Sequence, residues 1–97
     1  MITRERAQFI VATYIAQLVS ESECEIVEAM TLERSWGWVF FYQSRRHLET
    51  NDPIDALIGN APLIVDRMSG QVTETGTSHP TDFYLARYEA TIGAGAS

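Results

Sequence analysis

The stretch that most constrains the fold is Trp36–Ser44, WGWVFFYQS, the most apolar and aromatic run in the chain. Its composition is that of a buried β-strand. Period-two alternation puts Trp36, Trp38, Phe40 and Tyr42 on one face and Gly37, Val39, Phe41 and Gln43 on the other. Both faces are largely apolar, so the strand belongs in the middle of a sheet with something packed on each side. A chain of 97 residues has room for one core, and the single domain is expected over residues 1–92. The segment Gly93–Ser97, GAGAS, reads as a disordered tail.

The remaining elements arrange themselves around that strand. Thr3 is placed to cap a helix from Arg4 to Ser20, with Ala7, Ile10, Val11, Tyr14, Ile15 and Leu18 on one stripe. Cys24–Glu33 reads as a partly exposed strand, joined to the aromatic strand by a turn near Arg34 and Ser35. Arg45–Asn60 breaks the β pattern. Asp52-Pro53 is placed to open a short helical turn there, closed by Gly59-Asn60. Ala61–Arg67 is a third strand, Arg67–Gly70 a hairpin loop with Asp66 as its cap, and Gln71–Thr77 a polar edge strand. Pro80 starts a last helix to about Ala90, whose buried side is Phe83, Tyr84, Leu85, Ala86 and Tyr88. The expected fold is α+β, in the order α-β-β-(short α)-β-β-α. Its four-stranded antiparallel sheet has strand order 1-2-3-4, with both long helices on one face.

Charge and composition narrow the function. Seven basic against thirteen acidic side chains leave a net charge of −6, a surface that repels phosphate and argues against nucleic-acid binding. No apolar run approaches the ~20 residues of a membrane span. The N-terminus lacks the pattern of an export signal, and the single cysteine, Cys24, fits a reducing cytoplasm. A homo-oligomer is possible but not indicated.

No enzyme, cofactor or metal motif is present. Cys24 and His47 are a conceivable nucleophile–base pair. The acidic run around Cys24 raises a thiol pKa, however, so a structural cysteine is the better reading. Asp52 and Asp55, three apart in a first helical turn, read as a cap and a dipole partner rather than an acid/base dyad. Arg45, Arg46 and His47 read as a solvated loop before an anion contact. A Trp/Tyr surface with a charged rim is a common protein-binding patch. The candidates for such a patch are Trp36, Trp38 and Tyr42 as anchors, with Arg45, Arg46, Glu49, Glu28 and Glu33 around them.

Several segments in order carry a family resemblance. They are Gly37-Trp38-Val39-Phe40-Phe41-Tyr42, Leu48-Glu49-Thr50, Gly59-Asn60-Ala61-Pro62 leading into Ile64-Val65-Asp66, Thr75-Gly76-Thr77, and the Pro80 helix to Tyr88. Together they resemble the immunity protein 35 family, or YrhB domain, over Trp36–Glu89. Asn51-Asp52 stands where that family often has Gly-Asp. The resemblance implies a cytoplasmic, non-enzymatic protein without a cofactor, which binds and blocks a toxin encoded beside it. One branch of the family implies a heat-stable, chaperone-like holdase as the alternative.

Overall fold

The computed structural model describes residues 1–18, 24–51 and 61–96, with side chains through Ile92. The first helix, α1, spans Arg4–Leu18. The Thr3 hydroxyl accepts from the Arg6 N–H at 3.1 Å, which caps its first turn. Ala7, Val11 and Ile15, each four residues apart, form its buried stripe.

Two short strands follow, β1 (Cys24–Ile26) and β2 (Leu32–Arg34), separated by a 3-10 turn at Glu28–Met30. A two-residue turn at Ser35 and Trp36 leads into β3 (Gly37–Phe40) and then β4 (Tyr42–Ser44). Helix α2 covers Arg45–Thr50. Strands β5 (Leu63–Asp66) and β6 (Val72–Glu74) form the second hairpin, and α3 (Thr81–Ala96) closes the chain.

The expected strand order is present as β2-β3-β5-β6, all antiparallel, but the outer ends of the first two strands form a separate ribbon, β1-β4. The register explains the split. Ile26 pairs with Tyr42, while Leu32 pairs with Val39. Residues 27–31 therefore face only Phe40 and Phe41, and the surplus is lifted out as the 3-10 turn. The Val27 N–H donates to the Phe41 carbonyl at 2.8 Å and holds the join. This is a large bulge in the first hairpin, and it corrects the single four-stranded sheet.

The two long helices cover opposite faces, not one. Trp38, Phe40, Tyr42, Leu63 and Val65 pack under α1, while Val39 and Ile64 pack with Leu85 of α3. The reason lies in β3 and β5, which are apolar on both faces and need cover on each. Gly37 lets these strands approach, since a Cβ there would lie 1.9 Å from the Val65 carbonyl oxygen.

Three other expectations change. Arg45–Glu49 is helical rather than a loop, because the Ser44 hydroxyl accepts from the His47 N–H at 3.1 Å and Asn51 closes the helix at φ 57°. The short helix expected at Asp52-Pro53, its Asp52/Asp55 pair and its Gly59-Asn60 stop lie outside the described residues. Helix α3 runs past Ala90, and its backbone continues through the GAGA segment read as tail. On α3, Phe83 and Ala86 are exposed rather than buried.

Candidate functional site

The sequence candidates do not form one patch. Trp38 is 1% exposed and lies in the core under α1. The Arg67 guanidinium sits 4.4 Å from its ring centroid. Tyr42 is buried in the same cluster, and its phenol is pushed up first by that burial and then by the nearby Cys24 and Glu74. Both are corrected from surface anchors to core. Trp36 is half-buried on the opposite face: it precedes β3 in the turn, where strand alternation does not apply. Its ring centroid lies 4.8 Å from that of Tyr88, and its indole N–H donates to Glu89 Oε2 at 2.9 Å.

The charged candidates divide likewise. Glu33 accepts from Arg67 Nη2 at 3.0 Å beside the Ser35–Trp36 turn. Arg45 pairs with Glu25 at 3.0 Å at the far end of the strand, where Arg46 and Glu49 are exposed on α2. Eight residues, Gly37–Ser44, separate Trp36 from Arg45 along β3–β4, roughly 25–30 Å. Glu28 belongs to the α1 side, accepting from Gln8 Nε2 at 3.0 Å. Cys24 is half-buried, and burial pushes its thiol up. The direction is the one expected from the sequence, and desolvation is a cause of it; Glu21 and Glu23 of the acidic run lie outside the described residues.

An open cleft of about 560 Å³ lies between α3 and the β5–β6 hairpin. Tyr84, Tyr88 and Thr91 border it from α3, at spacings of four and three, with Arg87 alongside. Gln71, Thr73, Glu74 and Thr75 border it from the other side. Residues of both parities reach the cleft because β6 is the edge of its sheet. The Glu74 carboxylate also accepts from Tyr14 of α1. Leu85, 4% exposed, pins α3 to Val39 and Ile64.

Asp66 closes the floor of the cleft. Its Oδ1 accepts from the N–H groups of Met68 at 2.7 Å and Ser69 at 2.9 Å, and its Oδ2 accepts from the Tyr88 hydroxyl at 3.4 Å. Burial alone raises its pKa, but the bonds from Ser69, Met68 and Tyr88 together outweigh burial and hold it below its ordinary value. Burial first, and the Asp66 charge second, push the Tyr88 phenol up. Asp66 is thus a carboxylate committed to its turn, and Tyr88 a neutral donor.

At the start of α3, the Tyr84 hydroxyl accepts from the Ser78 N–H at 3.2 Å. A Cβ at Gly76 would lie 2.6 Å from that hydroxyl, so the loop crosses the ring closely. His79 and Phe83 extend the aromatic surface, with ring centroids 4.1 Å apart, and Phe83 is 40% exposed. Among the described residues, no group of three His, Cys, Asp or Glu side chains could hold a metal. The arrangement offers aromatic faces, hydroxyls and the Arg87 cation, a set suited to recognition. The sequence reading missed Arg87 and Thr73 and assigned Tyr84 and Tyr88 to the core. The spacing of Tyr84, Arg87, Tyr88 and Thr91, with polar groups among the rings, was the available signal.

These features define a small α+β protein with one helix on each face of a short sheet and an aromatic cleft at one sheet edge. The chain belongs to the immunity protein 35 family: the sequence model described as Immunity protein 35 matches residues 5–91. It is 37% identical over 78 residues to "Uncharacterized protein YrhB" of Escherichia coli (strain K12), covering 77% of this chain and 83% of that one. No solved structure matches. Among the described residues, no helix is long and apolar enough to cross a membrane.

Proposed function

We propose that this chain is a cytoplasmic immunity protein that binds one toxin, encoded beside it, and blocks it by covering its active site or substrate groove. The observation that carries this reading is membership of the immunity protein 35 family across residues 5–91. The α3 side supplies a surface of suitable chemistry. Trp36, Tyr84 and Phe83 are the aromatic anchors, Arg87 is a directional donor, and Glu89 stands on the rim. Partly exposed aromatic side chains and arginine carry most of the affinity at such interfaces. The net charge of −6 favours a basic toxin surface and speeds the encounter. The role of the chain is stoichiometric binding, not catalysis.

The test is co-expression with the neighbouring toxin domain, followed by purification of the complex. Growth rescue and a one-to-one complex are expected. A folded Tyr84→Ala/Arg87→Glu variant is expected to lose both. Many weakly held clients in place of one partner, or no protection, would refute the reading.

A further inference from the structure

Resting on the toxin binding proposed above, we infer that the toxin supplies an extended segment that joins β6 as a fifth strand, with an acidic side chain of that segment on Arg87. Strand β6 ends the order β2-β3-β5-β6, and its pairing with β5 fixes which of its backbone groups are used. The Asp66 N–H donates to the Gln71 carbonyl at 3.0 Å and the Thr75 N–H to the Pro62 carbonyl at 3.2 Å, with Ile64 paired to Thr73 between them. Bonded pairs alternate along an antiparallel ladder, so Gln71, Thr73 and Thr75 turn their backbone groups to β5, and Val72 and Glu74 turn theirs outward. Among the described residues, nothing bonds those outward groups. Neither proline nor bulge interrupts β6. N–H and C=O groups along one extended line fit the backbone of another extended chain.

The same edge opens on the cleft. A strand added to β6 lies about 4.8 Å outside it, and every second side chain points to the α3 side. There it meets Thr73 and Thr75 on one flank and Tyr84, Arg87, Tyr88 and Thr91 on the other. Among the described residues, the charges lining the cleft are Asp66, Glu74 and Arg87. The two carboxylates are committed: Asp66 is held by its turn and by Tyr88, and Glu74 accepts from Tyr14 of α1. The Arg87 guanidinium is exposed and, among the described residues, has no hydrogen-bond or ion-pair partner. A cation left unpaired beside two engaged carboxylates selects an acidic side chain on the incoming strand. A second copy supplies none. In a two-fold antiparallel pair its β6 keeps Gln71, Thr73 and Thr75 on this face, and none of them is acidic.

Amide hydrogen exchange of the full chain, alone and in its complex with the neighbouring toxin domain, tests this. The Val72 and Glu74 amides should exchange fast in the free chain and at least ~100-fold slower in the complex. Glu74→Pro removes one outward donor and no bond to β5, and should weaken the complex at least ~30-fold. Glu74→Ala keeps that donor and should bind within about threefold of wild type. Arg87→Met should weaken the complex ~10-fold or more and flatten its salt dependence. A one-to-one complex in which the two amides exchange as in the free chain overturns the strand addition and leaves the immunity reading standing. So does a folded Glu74→Pro that binds as tightly as Glu74→Ala. A salt dependence unchanged in Arg87→Met overturns the acidic side chain. Absence of any complex overturns both readings. Protection of the same amides in the chain alone, growing with its concentration, makes the occupant a second copy and overturns the inference.

Discussion

Trp36 and Trp38 are two residues apart in sequence and on opposite faces of the sheet, because Trp36 still belongs to the turn before β3, and the residue between them brings β3 and β5 close. Gly37 pairs with both Arg34 and Asp66, and a side chain there would collide with the Val65 carbonyl. Gly37→Ala is therefore expected to cost more than ~3 kcal/mol, because backbone of a central strand has to move. Urea denaturation checks this, and a loss under ~1 kcal/mol would show that β3 and β5 can separate locally. Trp38→Ala and Phe40→Ala should each cost ~3–5 kcal/mol, since both side chains are fully enclosed under α1. Trp36→Ala should cost about half as much, as its ring is half-buried on Tyr88. The alternation of WGWVFFY identifies Trp38, Phe40 and Tyr42 as one face. It fails at Trp36, where the chain is turning and sequence parity carries no information about direction.

The elements follow the same division between local and long-range causes. The Thr3 cap, the Asp66 turn with Gly70 at φ 75°, and the edge position of β6 were legible because each depends on a few adjacent residues. The bulge at residues 27–31 was not, because it is the difference in length between two strands whose pairing is decided by packing. The cleft was legible only in part: Tyr84 and Tyr88 were visible on one helix stripe, but that β6 stands across from them is a tertiary fact. The Asp66 turn yields a prediction in pH. Its folded pKa is depressed, so the native state binds fewer protons than the unfolded chain. The stabilisation is then fully present above about pH 4 and lost as pH falls through the lowered folded value. Asp66→Asn keeps an acceptor oxygen but no charge, and should cost ~1 kcal/mol at neutral pH, discounted for the partial exposure of the site. Urea midpoints of the two proteins should converge toward pH 3. A gap that stays constant between the two pH values would mean that the charge of Asp66 contributes nothing.

At the scale of the molecule, α1 and α3 are held to the sheet in different ways. Among the described residues, the α1 side contains eight buried residues in one cluster, whereas the α3 side is pinned by Leu85, with Trp36 and Tyr88 beside it. An opening therefore remains between α3 and β6, and the side of the sheet with less packing also bears the exposed aromatic and cationic groups. Stability and toxin binding should accordingly separate by face. Trp38→Ala is expected to lower the unfolding midpoint sharply while leaving affinity per folded molecule within about threefold of wild type. Tyr84→Ala and Arg87→Ala are expected to change stability by less than ~1.5 kcal/mol but to cost ~2 kcal/mol or more of toxin binding. Arg46→Ala, on α2 at the other end of β3–β4, should alter the association rate and its salt dependence without changing dissociation. Calorimetric titration of the toxin beside thermal melts of each variant measures both quantities. If Arg46→Ala raised the dissociation rate while Tyr84→Ala and Arg87→Ala left binding intact, the interface would have to be assigned to the α2 end. The cleft would then be only the consequence of a helix held to its sheet by one leucine and two aromatic rings.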